Sequence, residues 1–229
     1  MDTKLNKKLP PFHNCKIAII GLGYVGLPLA VAFTQKKICK KTGLNLDHNV
    51  IGFDINKTRI EELKNGIDKT NELNGEELKQ LDNIDYSHNK NELTNVEVFI
   101  VTVPTPINSA KTPNLDPLKK ATYSIGEALR ARSSDLKTQE IIPVIIYEST
   151  VYPGVTEEIC VPLLELNSGI KFNSGEYDDS FYCGYSPERI NPGDKKHTIN
   201  STIKVTSGCN KKIASWVDQF YGSFIEAGT

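Results

Sequence analysis

Short apolar runs alternate with longer amphipathic or polar stretches along the whole chain. The apolar runs are rich in β-branched and aromatic residues, which is typical of buried strands. The pattern predicts strands at 16–20, 50–53, 84–86, 96–103, 141–147, 181–185 and 202–206, and helical segments at 24–38, 56–80, 116–132, 156–166 and 211–221. Regular alternation of strand and helix predicts an α/β fold with parallel strands and right-handed crossovers.

A glycine cluster, Gly21-Leu-Gly23-Tyr-Val-Gly26, follows the first predicted strand and precedes the first predicted helix. In this setting the spacing predicts the dinucleotide-binding loop of a Rossmann-like, doubly wound and mainly parallel sheet. Gly21 would allow the tight turn, Gly23 would let backbone N–H groups approach a pyrophosphate, and Gly26 would let the helix pack closely. Tyr24 and Val25 complete the loop, where the positive end of the helix would face the phosphates.

Asp54 follows the second predicted strand and supplies a second element of a dinucleotide site. A carboxylate here can accept hydrogen bonds from both hydroxyls of the adenosine ribose and repels a 2′-phosphate, which favours NAD over NADP. Asp54 lies 28 residues after Gly26, whereas the usual gap is ~20 residues, and the polar connection 39–49 would absorb the excess. The alternative for Asp54 is a strand-end turn residue. Arg59 could close over the same ribose, or it could be a solvated helix charge.

Two later strands also end in segments that suit a ligand site. The sequence continues as Pro104-Thr105-Pro106 after the fourth strand and as Glu148-Ser-Thr150 after the fifth. Ligands of doubly wound sheets bind at the carboxyl ends of strands, so a rigid Thr105 hydroxyl or N–H would lie near the cofactor. A plain loop punctuated by prolines is the alternative.

Composition narrows the class of protein. The chain has 229 residues, 38% hydrophobic and 24% charged, which indicates a folded globular domain rather than a disordered chain. Its net charge of −1 gives no reason to expect nucleic acid or an anionic membrane as a partner. No apolar run reaches the length of a membrane span, and the polar leader at 1–14, expected to be frayed at its start, lacks a signal-peptide core. We therefore expect a cytoplasmic protein.

The five cysteines and four histidines do not suggest a metal or redox site. They are widely spaced, with no Cys-x-x-Cys and no histidine at a metal-ligand spacing from a cysteine or acidic residue. A catalytic thiol is one interpretation of any single cysteine, and a structural buried or free surface thiol is the favoured one. No metal is expected.

Four motifs, taken in order, resemble the UDP-glucose/GDP-mannose dehydrogenase family. They are Gly21-Leu-Gly-Tyr-Val-Gly-Leu-Pro28, Val103-Pro-Thr-Pro106, Glu148-Ser-Thr-Val-Tyr-Pro-Gly154 and Tyr185-Ser-Pro-Glu-Arg-Ile-Asn-Pro-Gly-Asp194. The likeness covers residues 15 to about 225 and is nearest to the branch that oxidises UDP-N-acetylhexosamines, such as UDP-N-acetylgalactosamine. It implies an NAD-dependent UDP-sugar 6-dehydrogenase of surface polysaccharide synthesis, which oxidises the sugar C6 from alcohol to carboxylate with two NAD⁺.

The resemblance also implies roles for individual residues. The glycine loop and Pro104 resemble cofactor contacts, and Asp54 with Arg59 resembles the contacts to the adenosine ribose. Thr105 and Thr150 match positions near the nicotinamide ribose and the active-site water. Glu188 matches a glutamate at the substrate, a candidate base or water-orienting group in hydrolysis. The alternative for Glu188 is a strand-end carboxylate paired with a neighbour such as the adjacent arginine.

The sequence departs from the family pattern in two ways. UDP-glucose enzymes carry a second glutamate four residues after Glu188, and Pro192 at that position favours the N-acetylhexosamine branch. The family's catalytic cysteine, in a Gly-Gly-x-Cys loop, and its lysine and asparagine, on a linking helix, have no counterpart before Thr229.

We therefore expect residues 15–229 to form the NAD-binding Rossmann domain of a longer enzyme, without its linking helix and UDP-binding domain. Such a chain would be inactive alone, and the complete enzyme would be a homodimer that binds a UDP-sugar. A different class remains as the alternative, namely a stand-alone, non-catalytic NAD-binding or interaction module.

Overall fold

One sheet organises the domain. The structure, a computed structural model, describes residues 8–39, 41–79, 81, 83–109, 111–133, 140–172, 180–189, 199 and 201–229. Within these ranges the strands are β1 (Lys16–Ile20), β2 (Asn49–Phe53), β3 (Ile84–Ser87), β4 (Val98–Val101), β5 (Val144–Tyr147), β6 (Lys171–Phe172), β7 (Ser180–Tyr185) and β8 (Ser207–Gly208). The strand order is β3-β2-β1-β4-β5-β7-β6, all parallel, and β8 pairs with β7 in the antiparallel sense.

Helices cover both faces of the sheet. Those described are α1 (Gly26–Gln35), α2 (Lys57–Lys64), α3 (Gly75–Lys79), α4 (Asp116–Ser133), α5 (Val161–Ser168) and α6 (Lys211–Gly222). A 3₁₀ turn spans Lys90–Leu93, and a π-helical turn, Thr156–Cys160, leads into α5. α1, α2 and α6 contribute to one hydrophobic cluster and α4 and α5 to the other, so the sheet is the middle layer of three.

The central strand β1 shows why the sheet is buried on both faces. Successive side chains of a strand point to opposite faces. Ile17 and Ile19 join the cluster that contains α1 and α6, whereas Ala18 and Ile20 join the cluster that contains α4 and α5. All four side chains are buried, which explains the continuous apolar run that predicted this strand.

The strand order reverses between β1 and β4. From β1 the chain builds outward through β2 and β3 on one side, and from β4 through β5 and β7 on the other. When the connections after two neighbouring parallel strands run in opposite directions, a crevice forms between them at the carboxyl ends of the strands. The glycine loop leaves β1 at this point.

The predicted parallel α/β fold is confirmed, but the predicted strand at 202–206 is wrong. This stretch forms no ladder in the described structure, because its groups bond elsewhere: the Lys204 N–H donates to the Gly228 carbonyl at 3.1 Å, and the Ser186 hydroxyl donates to the Val205 carbonyl at 2.7 Å. The two-residue strand β6 lies in a polar stretch that was expected to be a loop.

Residues 8–15, which precede β1, pack against the rest of the domain. Lys8 forms a parallel bridge with Ile141, and the Trp216 indole N–H donates to the Pro10 carbonyl at 2.8 Å. The frayed start expected before residue 8 lies outside the described residues. Among the helices that the structure describes, none combines the length and apolar character needed to cross a membrane.

Candidate functional site

Two adjoining cavities lie along the carboxyl ends of the central strands. The larger, about 540 Å³, extends from the ends of β1 and β2 to the start of α4, and the second, about 340 Å³, lies beyond the ends of β4 and β5. Gly23, Thr102, Val103 and Pro104 line both cavities. The two cavities therefore form one continuous crevice at the point where the strand order reverses.

The three glycines of the loop meet three different surroundings. Gly21 has a φ of +97°, a left-handed conformation that strains any residue with a Cβ. A Cβ on Gly26 would lie closer than 3.0 Å to the Gly21 carbonyl oxygen and to the Thr102 hydroxyl, which itself donates to that carbonyl at 2.7 Å. A Cβ on Gly23 would meet nothing within 4 Å and would project into open space. These geometries fit the turn, close-packing and phosphate-approach roles expected of the three residues.

The start of α1 has features that favour the binding of an anion. The helix begins at Gly26, two residues later than predicted, and the Leu27 N–H donates to the Gly23 carbonyl at 3.1 Å. Among the described residues, no side chain caps this end and no acidic residue lies in its first turn. The first N–H groups of such a helix are free to bind a negatively charged group, which the helix dipole also favours.

Leu22 in the glycine loop is held from both sides by charged groups. Its N–H donates to Asp54 Oδ2 at 2.9 Å, and its carbonyl accepts from Arg59 Nε at 2.9 Å. The second Asp54 oxygen accepts from the Asn56 N–H at 2.9 Å. We call this arrangement the Leu22 clasp. It fixes the loop against the end of β2 before any ligand arrives.

Arg59 is a structural member of the larger cavity rather than a solvated charge. It is only 8% exposed, and its Nη2 lies 2.7 Å from Oδ1 of Asp68, whose side chain is fully buried. Burial alone would raise the pKa of Asp68, but hydrogen bonds from the Thr70 hydroxyl and Arg59 bring it below its ordinary value. Arg59 Nη1 is buried without a hydrogen-bond partner among the described residues. The guanidinium thus couples the loop to the wall of the larger cavity.

The loops after β4 and β5 are joined at the second cavity. The Thr105 hydroxyl donates to the Thr150 carbonyl at 2.7 Å, and the Ser149 hydroxyl donates to the Val103 carbonyl at 2.6 Å. Thr105 is half-buried and Thr150 is exposed, and both line this cavity together with Glu188. The structure therefore brings the predicted residues of three strand ends to one place.

A buried charge cluster, which sequence reasoning missed, forms one end of the second cavity. Lys204 Nζ lies 2.7 Å from Glu148 Oε2 and 2.9 Å from Glu188 Oε2. The other Glu148 oxygen accepts a hydrogen bond from the Tyr221 hydroxyl. The expected alternative for Glu188, a strand-end carboxylate paired with a neighbour such as Arg189, is realised with Lys204, and Glu188 Oε1 also accepts from the Arg189 N–H at 2.6 Å.

The pKa values in this cluster follow from burial and mutual charge. Burial raises the pKa of Glu148, and the Lys204 ammonium opposes that effect without reversing it. Burial alone would lower the pKa of Lys204, but the two carboxylates raise it above its ordinary value. Burial, followed by the charge of Glu148, raises the pKa of Tyr221. Lys204 therefore stays protonated at neutral pH.

The predicted site residues divide between the two cavities, except for Gly26, which packs under the loop. The larger cavity contains Gly21, Gly23, Asp54, Arg59 and Pro104, and the second contains Gly23, Tyr24, Val25, Pro104, Thr105, Thr150 and Glu188. Pro192 lies outside the described residues. Cys209 is exposed, the other four cysteines are buried, and the described residues contain no cluster of three or more groups that could hold a metal ion.

Glu148 and Lys204 carried little signal in the sequence. Glu148 was visible as a polar residue at a strand end, but Lys204 lies between Ile203 and Val205 in a pattern that predicts an outward-facing lysine. The structure has the reverse: the two apolar residues are 67% and 50% exposed, and Lys204 is 5% exposed. A buried charge flanked by exposed aliphatic residues becomes recognisable only in three dimensions.

Several known proteins are similar to this chain over nearly its whole length. The family described as "UDP-glucose/GDP-mannose dehydrogenase family, NAD binding domain" matches residues 15–225. The UDP-N-acetyl-D-glucosamine 6-dehydrogenases of Pseudomonas aeruginosa and Salmonella typhi are 50% and 46% identical to it over 94% and 93% of the chain. A solved UDP-D-ManNAc dehydrogenase from Pyrococcus horikoshii, 27% identical, matches with a TM-score of 0.71 over 93% of the chain. The chain spans 45%, 44% and 46% of these proteins, or about half their length.

Proposed function

Because the chain belongs to the UDP-glucose/GDP-mannose dehydrogenase family and matches its NAD-binding domain, we propose that it is the cofactor-binding part of a UDP-N-acetylhexosamine 6-dehydrogenase. The complete enzyme would oxidise the C6 alcohol of the sugar to a carboxylate with two NAD⁺, in surface polysaccharide synthesis. The Leu22 clasp carries this proposal, since it holds an uncapped, glycine-lined helix start beside a strand-end carboxylate.

The residues present fit NAD at the crevice. Gly23 leaves open space above the loop, and the free N–H groups at the start of α1 suit the pyrophosphate. Asp54 would accept the hydroxyls of the adenosine ribose, and the larger cavity would hold the adenosine. When bound, the nicotinamide supplies the hydride acceptor.

Asp54 also supports NAD over NADP. Its carboxylate already accepts two backbone N–H groups, which fix its position at the wall of the larger cavity. A 2′-phosphate placed against this carboxylate would meet like-charge repulsion.

The second cavity would hold the reacting end of the substrate. Thr150 and Glu188 line it, and Glu188 is the candidate base or water-orienting group for hydrolysis of the oxidised intermediate. The catalytic cysteine, lysine and asparagine would come from the remaining half of the enzyme, so the chain alone would not turn over. We place the complete enzyme in the cytoplasm, as a homodimer.

The identity of the sugar rests on the relatives. The two at 50% and 46% identity are named for UDP-N-acetyl-D-glucosamine. They support N-acetylglucosamine ahead of the N-acetylgalactosamine that the sequence motifs suggested.

Calorimetric titration tests the cofactor assignment. NAD⁺ is expected to bind the 229-residue chain, with NADP⁺ binding at least about tenfold more weakly, a difference of ~1.4 kcal/mol. Absence of NAD⁺ binding, or a preference for NADP⁺, would contradict the assignment. NADH formation with UDP-N-acetylglucosamine is not expected, and steady turnover by the chain alone would show that its nucleophile lies within these residues.

A further inference from the structure

Three ionisable side chains meet at the inner end of the second cavity, almost out of contact with water. The side chains of Glu148, Lys204 and Glu188 are 0%, 4% and 9% exposed, and the ammonium of Lys204 lies between the two carboxylates. Glu148 and Glu188 both line this cavity, and Glu188, the more exposed of the two, is the candidate to touch the substrate. The cluster therefore joins a buried anchor to a residue at the cavity wall.

The anchor is complete without Glu188. Glu148 receives Lys204 on one oxygen and the Tyr221 hydroxyl on the other, and Lys204 Nζ also lies 5.4 Å from the centre of the Tyr221 ring. These contacts satisfy the buried carboxylate and place the ammonium, as a buried ion pair requires. The Lys204 ammonium is therefore already held in place when it makes its third contact, to Glu188.

The backbone around Lys204 turns the lysine inward and its two aliphatic neighbours outward. The segment is held on one side by the Gly228 carbonyl and on the other by the hydroxyl of Ser186, which is fully buried. In this conformation Ile203 and Val205 face water. Within this chain the segment thus buries its lysine and exposes its two aliphatic neighbours, the reverse of the usual preference.

The two glutamates also need a cation between them. The Glu188 N–H donates to the Glu148 carbonyl at 3.3 Å, so their backbones are held side by side. Two carboxylates in such proximity repel each other, and this repulsion favours conformations in which the side chains turn apart. One ammonium placed between them removes the repulsion and fixes the direction of the more exposed one.

We propose that Lys204 is a positioning residue, which is fixed by Glu148 and Tyr221 and holds the Glu188 carboxylate in place at the wall of the second cavity. This inference rests on the proposed function, in which Glu188 serves the substrate. Lys204 orients the Glu188 carboxylate, and Glu148 in turn holds Lys204 in place.

Three variants separate positioning from simple stabilisation. Lys204→Met leaves a fully buried carboxylate unpaired and is expected to lower stability strongly. Glu148→Gln/Lys204→Met removes the buried carboxylate together with the ammonium, so much of that stability should return, while Glu188 loses its contact with Lys204. The matched control is Lys90→Met/Glu127→Gln, which removes an ion pair of 2.7 Å whose side chains are 47% and 42% exposed.

Carbodiimide labelling with mass spectrometry then reports on Glu188 directly, in the absence of any cofactor. Labelling of Glu188 should rise about fivefold or more in the folded Glu148→Gln/Lys204→Met variant, because the carboxylate then loses the buried ammonium that holds it inward and becomes more accessible to water. The control pair should leave it unchanged. Unchanged labelling of Glu188 in the folded double variant, or wild-type stability of Lys204→Met, would overturn the proposal.

The wild-type chain decides the matter if the double variant does not fold. Nitrogen-edited NMR should show a Lys204 ammonium signal with hydrogen-bond coupling to the Glu188 carboxyl carbon, and absence of this coupling would overturn the proposal. Neither measurement uses NAD⁺. Failure of wild-type NAD⁺ binding would therefore refute the proposed function and leave the assignment of Lys204 to be judged by its own data.

Discussion

Alanine substitutions at Gly26 and Gly23 should separate folding from cofactor binding. A methyl group on Gly26 would lie closer than 3.0 Å to the backbone carbonyl oxygen of Gly21. Because backbone cannot rotate away as a side chain can, the loop and α1 must move apart. Overpacking in a tight site costs about 1–3 kcal/mol and sometimes more, so we expect the free energy of unfolding to fall by about 3 kcal/mol.

Gly23→Ala should act only on the ligand. The added methyl meets nothing within 4 Å, and Gly23 lies outside the left-handed region. Stability should be unchanged or higher by about 0.4–1 kcal/mol, because the unfolded chain loses conformational freedom. The methyl would, however, project into the crevice and displace the pyrophosphate. Loss of one charge-assisted hydrogen bond, about 1.5–3 kcal/mol, would weaken NAD⁺ roughly 10- to 150-fold.

Two assays distinguish the variants. Unfolding can be followed through Trp216, the single tryptophan, which is buried, stacks on Phe220 and donates to the Pro10 carbonyl. For a domain of this size, 3 kcal/mol corresponds to a fall in Tm of about 6–12 °C for Gly26→Ala. Calorimetry measures NAD⁺ binding to Gly23→Ala. The reasoning fails if folded Gly23→Ala binds NAD⁺ as tightly as the wild type, or if Gly26→Ala keeps the wild-type Tm.

Four further predictions concern single side chains. Asp54→Asn should reduce the ratio of NAD⁺ affinity to NADP⁺ affinity about tenfold in competitive titration. The control Asp85→Asn changes an exposed residue on β3 and should leave this ratio unchanged. Equal ratios in the two variants would contradict the role of Asp54. Arg59→Met leaves the buried Asp68 without its guanidinium and should cost about 3 kcal/mol in denaturant unfolding; a loss below about 1 kcal/mol would show that the pair contributes little. Burial opposes ionisation of Asp68, but hydrogen bonds lower its pKa below the ordinary value. The stability that Asp68 contributes is therefore present above an unfolded pKa of ~4 and is lost as pH falls through the lower folded value. Asp68→Asn should flatten this loss of stability at acid pH, and an unchanged pH dependence would exclude Asp68 as its source. Cys209 alone should react with iodoacetamide in the native chain, slowly, because burial raises the pKa of its thiol, and modification of a second thiol would contradict the burial of the other four.

The sequence predicted the parts of the site that local chemistry determines. The glycine loop lies between a predicted strand and a predicted helix, a context that indicates a strand–turn–helix geometry, and Asp54 stands at a strand end, where its position follows from the parallel sheet. The same logic placed Thr105, Thr150 and Glu188 at one edge. Each of these residues could be located from its neighbours in the chain and from the direction of its strand.

The parts that were missed depend on contacts between distant segments. Lys204 reaches Glu148 across 56 residues, and its inward orientation reverses what its aliphatic neighbours predict. The strand expected at 202–206 failed for the same reason, since this segment bonds to the C-terminal residues and to Ser186. Tertiary hydrogen bonds here override the local strand propensity.

The Leu22 clasp has a consequence for protein engineering. The carboxylate that would distinguish the two cofactors is also a structural brace, because Asp54 accepts the Leu22 N–H while Arg59 binds the carbonyl of the same residue. A redesign for NADP that replaces Asp54 with a small or basic residue would release one side of the loop. A successful redesign therefore needs a second substitution that supplies a new acceptor for the Leu22 N–H. A change of cofactor preference in this domain therefore also requires a change in the contacts that hold its phosphate loop.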